Sequence, residues 1–87
     1  MLAASTNALI ACLRALSNES RRVERRLNDD RISDEDSAEL GHYITDLQEA
    51  LAAAVEAYES KRAHDRALTP ADELLAYFAR HSGIDQA

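Results

Sequence analysis

The sequence contains few of the residues that make turns. Its 87 residues include two glycines and one proline. An all-β or mixed fold needs a tight turn after every few residues, and glycine and proline supply most such turns. The scarcity of both argues against those folds and predicts an all-α protein. The length suits one domain, which we place over residues 1–87.

Large side chains are scarce as well. The chain has no tryptophan and only four aromatic residues, Tyr43, Tyr58, Tyr77 and Phe78. Alanine accounts for 17 of the 40 hydrophobic residues, and alanine favours helix but contributes little area when it is buried. We therefore expect helices that share a thin core.

Cys12 is the single cysteine, so a disulfide within the chain is excluded and a reducing compartment fits best. A secretory signal needs basic residues ahead of an apolar run, but no lysine or arginine precedes Arg14. No stretch approaches the roughly 20 apolar residues of a membrane span. We expect a cytoplasmic protein with no membrane association.

The net charge of −6 is unevenly distributed along the chain. Residues 1–31 hold six arginines and four acidic residues, whereas residues 32–87 hold four basic and twelve acidic residues. An acidic chain repels nucleic acid overall. Any contact with nucleic acid would have to come from the first third, and we expect none.

The first third carries a heptad pattern, in which apolar residues recur at alternating spacings of three and four. The pattern predicts a first helix over about residues 3–28. The core seam of this helix consists of Leu9, Leu13, Leu16, Val23 and Leu27. Asp29 and Asp30 then disfavour continuation, because anions are unfavourable at the negative end of the helix dipole.

A second heptad seam follows a five-residue turn. Ser33 has the character of an N-cap, and three acidic residues follow it where the helix dipole favours anions. The pattern predicts a second helix over about residues 34–65. Its seam consists of Leu40, Ile44, Leu47, Leu51 and Tyr58. Two heptad helices joined by so short a turn form a coiled-coil-like antiparallel hairpin.

A short third helix is predicted over about residues 70–81. Thr69 suits the N-cap and Pro70 the first helical position. The apolar face of this helix carries Leu74, Leu75 and Phe78. We assign these three residues as candidates for docking a partner, although the sequence leaves open whether they pack on their own hairpin.

The apolar bands of the hairpin are wider than one partner helix covers. Further apolar residues flank the two seams: Ile10, Cys12, Tyr43, Ala50, Val55 and Ala57. A third helix of ~18 Å is too short to cover a hairpin of about 40 Å. A second copy would cover the remainder, so we expect a homodimer that forms a helical bundle.

No motif points to catalysis. Glu39 and His42 have the Glu-x-x-His spacing of di-iron bundles, but with Leu40 and Ile44 inward they fall on the outer side of the helix. No histidine lies near Cys12 at the spacing of a nucleophile and its base, and no glycine-rich loop could hold phosphate. We expect no enzyme activity, no catalytic or metal-binding residues, no cofactor and no small-molecule substrate.

The sharpest local feature is a run of arginines on the exposed side of the first helix: Arg21, Arg22, Arg25 and Arg26. Such a run can contact the phosphates of RNA. It can also pair with the acidic residues that begin the second helix, which an antiparallel hairpin brings near. We favour pairing, because no aromatic residue is interleaved for base stacking.

These observations favour a small non-enzymatic interaction module that acts as an adaptor, regulator or inhibitor. We expect it to bind itself and another protein through its helix faces. One alternative is a four-helix bundle that binds RNA through the arginine run. A further alternative is an acidic inhibitor that mimics nucleic acid and occupies a basic groove.

Overall fold

A computed structural model describes residues 5–82, which form three helices: α1 at Thr6–Leu27, α2 at Asp34–Arg62 and α3 at Ala71–Ser82. No strand occurs within this range. The all-α prediction is therefore confirmed. Residues 3 and 4, which we predicted at the start of the first helix, lie outside the described residues.

Serine side chains begin both long helices. Ser5 has an extended backbone, and its hydroxyl accepts a hydrogen bond from the amide of Ala8 at 3.1 Å. Ser33 caps α2 in the same way through the amide of Asp36, also at 3.1 Å. Each serine satisfies an amide that the helix leaves without a partner. The N-cap predicted at Ser33 is confirmed.

The second helix ends at Arg62, three residues before the predicted end. The amides of His64 and Asp65 bond to carbonyls only three residues back, those of Lys61 and Arg62. Such tighter turns commonly finish a helix by using its last free carbonyls. The Asp65 side chain then accepts a hydrogen bond from the amide of Ala67 and turns the chain toward α3.

The first two helices pack along each other as an antiparallel hairpin, as predicted. Its turn end contains Leu27 and Asp34, and its open end contains Thr6 and Arg62. Leu13 and Val23 are fully buried, and Leu47 is nearly so. The seam therefore runs from the open end toward the turn.

The third helix packs on its own hairpin, a question that the sequence had left open. It lies mainly against α1 and meets α2 near the open end. Ala71 and Phe78 join Leu9, Leu13 and Tyr58 in one buried core cluster. The hairpin thus has a three-helix core at its open end and only a two-helix seam at its turn end.

Two hydrogen bonds hold the start of α3 against α2. The hydroxyl of Tyr58 donates to the carbonyl of Thr69 at 2.6 Å, and the carboxylate of Glu59 accepts from the amide of Ala71 at 2.8 Å. Glu59 therefore binds a free amide at the N-terminus of α3, a role that we had assigned to Thr69. That bond lowers the pKa of Glu59, and the adjacent Arg62 lowers it further.

The molecule is flat and elongated. Its Cα atoms span 47 × 33 × 16 Å, with a radius of gyration of 14.9 Å. A compact domain of this length would have a radius of gyration of about 12 Å. Because α3 lies beside the hairpin near one end, the three helices do not enclose a core along the full length of the molecule.

Two leucines one turn apart on α1 test this view of the core. Leu13 is fully buried, whereas Leu16 is half-buried. Leu13→Ala should cost ~2–5 kcal/mol of unfolding free energy, and Leu16→Ala should cost roughly half as much or less. Urea unfolding at low protein concentration measures both. Equal losses would show that the two sites do not differ in burial as described.

Substitution of Gly41 should stabilise the protein, in contrast to the two leucine substitutions. Gly41 lies within α2, and a Cβ at this position would meet nothing within 4 Å. Gly41→Ala should therefore raise the unfolding free energy by about 0.5–1 kcal/mol, because glycine loses more backbone entropy than alanine in a helix. Ala38→Gly, at an exposed position of the same helix, should lower it by a similar amount. A destabilised Gly41→Ala protein would contradict this account.

Candidate interaction surfaces

The ten predicted seam residues divide into two sets. The buried set consists of Leu9, Leu13, Val23, Leu47 and Tyr58. The half-buried set consists of Leu16, Leu27, Leu40, Ile44 and Leu51. A single chain therefore leaves part of its own seam in contact with solvent.

The apolar residues that flank the seam also divide, because α3 covers only some of them. Ile10 on α1 and Val55 on α2 pack against the core cluster that contains Phe78. The remaining flanking residues are exposed: Cys12, Tyr43, Ala50 and Ala57. We call these four, together with the half-buried Leu16, the open flank.

The open flank includes residues of both helices. Tyr43, Ala50 and Ala57 are seven residues apart, so they lie on one side of α2. Cys12 and Glu19 share one side of α1 for the same reason. The Tyr43 hydroxyl donates to the Glu19 carboxylate at 2.6 Å, which brings these two sides together. The open flank is therefore a single candidate surface for self-association.

Glu19 joins the two helices at the border of the open flank. It also accepts two hydrogen bonds from Arg22, at 2.7 and 2.8 Å. The bonds from Arg22 and Tyr43 lower the pKa of Glu19 from 4.5 to about 2, since both favour the charged carboxylate. The same contact raises the pKa of Tyr43, because loss of the phenolic proton would break its bond to Glu19.

The residues assigned to partner docking on α3 contact their own hairpin. Phe78 is buried, and Leu74 and Leu75 are half-buried against the core cluster. Phe78 is thus not free to anchor a partner while α3 is packed. A docking role for the solvent-facing parts of Leu74 and Leu75 stays a prediction.

A groove beside α3 is a feature that our sequence analysis missed. Its volume is about 500 Å³, and its lining includes Ile10, Leu74, Tyr77 and Phe78. We call it the α1–α3 groove. Tyr77 is 50% exposed, the most of any large hydrophobic side chain among the described residues. The sequence places Tyr77 next to the apolar face of the third helix, which could have indicated an exposed aromatic surface. Only the packing of α3 brings Ile10 of α1 into the same groove.

The arginine run does not form one exposed patch. Arg21 is half-buried; its guanidinium donates to the Ser17 hydroxyl at 2.7 Å and to the Phe78 carbonyl at 3.2 Å. Arg22 pairs with Glu19. Arg25 and Arg26 are exposed. Arg21 thus joins α1 to the last turn of α3, where a cation is favourable.

For Arg22, Arg25 and Arg26 the expected pairing across the turn is not found. Ion pairs within residues 5–82 join Arg22 to Glu19, Arg31 to Asp29 and Arg62 to Glu59. All three are local in sequence. The acidic residues that begin α2 lie instead in its first turn, where the helix dipole stabilises negative charge.

The groups considered for chemistry are dispersed. Glu39 and His42 are both exposed on α2, and Cys12 is an exposed free thiol. In the part of the chain that the structure describes, no three His, Cys, Asp or Glu side chains are arranged to hold a metal ion. None of its helices combines the length and apolar content needed to cross a membrane.

Comparisons with protein-family models, with curated proteins and with solved structures gave no match.

The Glu19 contact predicts an acid-dependent loss of stability. Because its folded pKa lies near 2, below the ordinary 4.5, Glu19 contributes stability that is fully present above about pH 4.5 and is lost as pH falls toward 2. Wild type should therefore be more stable than Glu19→Gln at pH 6, and the difference should shrink between pH 4.5 and 2. Thermal unfolding across that range measures it. A difference independent of pH would contradict the contact.

Proposed function

We propose that this chain is a cytoplasmic, non-enzymatic protein–protein interaction module that pairs with a second copy through the open flank. In this proposal it acts as an adaptor, regulator or inhibitor through its remaining helix faces. The proposal rests on one observation, which is that α3 covers the hairpin unevenly. One flank of its apolar seam lies beneath α3, and the other flank is exposed.

The composition of the open flank supports helix–helix contact. Cys12, Ala50 and Ala57 have small uncharged side chains, which allow a neighbouring helix to approach closely. Leu16 is half-buried beside them and would gain further burial in a dimer. Each fully buried CH₂ group stabilises by about 0.8 kcal/mol, so several such side chains can offset the entropy lost on association.

The shape of the chain also supports pairing. The molecule is only 16 Å across its shortest dimension, and helices pack at axial distances of roughly 8–10 Å. Two flat hairpins that face each other through their open flanks would form a four-helix bundle, with the α3 helices on its outer sides. This arrangement would bury the flank that α3 leaves exposed.

RNA binding through the arginine run has less support. Arg21 is engaged by α1 and α3, and Arg22 is engaged by Glu19. The exposed pair Arg25 and Arg26 is a small cationic surface on a chain with a net charge of −6. Non-specific binding at physiological salt needs several phosphate contacts.

Two exposed alanines of α2 provide a matched test of self-association. Ala50 belongs to the open flank, whereas Ala52 is exposed two residues away on another side of the helix. At tens of micromolar, light scattering should give twice the monomer mass of 9.6 kDa for wild type. Ala50→Glu should give a monomer, because dimerisation would bury an unpaired carboxylate, and Ala52→Glu should remain dimeric.

A wild-type mass of 9.6 kDa at every concentration would refute self-association. A dimer that persists in Ala50→Glu and dissociates in Ala52→Glu would place the interface elsewhere.

A further inference from the structure

The α1–α3 groove has an apolar floor with an aromatic rim. Ile10, Leu74 and Phe78 line it, and Tyr77 stands at its edge with half of its surface exposed. The Tyr77 ring contacts the ring of His81 at 4.1 Å between centroids, and meets that of Phe78 edge-on at 6.1 Å. Tyr77 therefore packs against two neighbouring rings while half of its surface stays exposed, and tyrosine is enriched among interface anchors.

Charged side chains of both signs border this groove, with one more cation than anions. Arg80 lines it, and the Arg14 guanidinium lies 5.7 Å from the ring centroid of Phe78 on its floor. Both arginines are exposed. Glu73 is the single acidic residue among those that line the groove. Arg80 and Glu73 balance each other among the lining residues, and Arg14 adds one further cation beside Phe78.

We propose that the α1–α3 groove binds an amphipathic helix of a different protein, with acidic residues beside its apolar anchors. Apolar side chains at positions i and i+3 or i+4 would occupy the floor beside Tyr77. Aspartate or glutamate next to them would face Arg14 and Arg80. The proposal rests on the proposed function only in taking the chain to be an interaction module, and it concerns a surface apart from the open flank.

A second copy of this chain is a poor occupant of the groove. Among the described residues the exposed large hydrophobic side chains are Tyr43 and Tyr77. Tyr77 belongs to the groove itself, and Tyr43 already donates its hydroxyl to Glu19. The described helices therefore offer no exposed pair of large apolar anchors at helical spacing. This favours a partner with a different sequence.

RNA fits the groove less well than a helix does. Bases stack on flat aromatic faces, whereas two of the three floor residues, Ile10 and Leu74, are aliphatic. The apolar side chains of a peptide helix can pack on this floor, and its acidic residues can pair with the arginines beside it.

A defined peptide library tests the proposal on the full chain. The probe is a displayed library of 16-residue helical peptides, randomised at two successive turns and selected against wild type at 150 mM salt. The selected peptides should share leucine-like residues at i and i+3 or i+4 and be enriched in aspartate and glutamate. Their affinity, measured by fluorescence anisotropy, should fall at least tenfold for Tyr77→Ala.

Two residues that line the groove give a matched pair with opposite signs. Arg80→Gln should weaken binding of the selected peptides about two- to fivefold, and Glu73→Gln should strengthen it by a similar factor. Both side chains are exposed on α3, so their replacement tests charge without disturbing the core. This pair remains informative if Tyr77→Ala fails to fold.

Several results would overturn the proposal. These are a failure to enrich any peptide, enrichment of basic peptides, or equal effects of Arg80→Gln and Glu73→Gln. Retention of a labelled uridine-rich RNA at 150 mM salt that Arg80→Gln abolishes would assign the groove to RNA. Failure here is distinct from failure of self-association, because Ala50→Glu should keep peptide binding and Tyr77→Ala should remain dimeric.

Discussion

The length of α3 determines how this chain presents its surfaces. At 12 residues it spans ~18 Å, against ~44 Å for the 29 residues of α2. It therefore covers one flank of the hairpin and only toward the open end. The buried Phe78 anchors it there, and Arg21 binds its last turn. The one buried cluster, which contains Leu13 and Tyr58, forms where the three helices meet. Val23 is also fully buried, within the two-helix seam.

The same docking produces two unlike surfaces. Beside α3 the chain forms a groove with an aliphatic floor and arginines at its edge. On the other side of the seam it leaves small uncharged side chains exposed, with Tyr43 and Glu19 bonded across their border. A surface of small uncharged side chains suits close contact with the helices of a second copy, whereas a groove with charged edges suits a partner that supplies the opposite charge. Both proposals therefore depend on where α3 packs, but they concern different surfaces and different partners.

Much of the fold was predictable because its determinants are local. Heptad spacing predicted both long helices, and Ser33 predicted the start of α2 to the residue. The features that the sequence did not predict depend on contacts between residues far apart in the chain. Glu59 binds the first amide of α3, and Arg21 binds its last turn, but neither pairing leaves a periodic trace in the sequence. The cross-turn pairing was wrong for Arg22, because Glu19, only three residues away, engages it instead. The groove could not be predicted, since it depends on which side of the hairpin α3 packs.

The central claim is that α3 covers one flank and leaves the other for a second copy. Amide and methyl chemical shifts at 20 micromolar and 1 millimolar protein test it most directly. The account predicts concentration-dependent shifts at Cys12, Leu16, Ala50 and Ala57, with Ile10, Val55 and Phe78 unchanged. Shifts confined to the latter group, or spectra that do not depend on concentration, would contradict it.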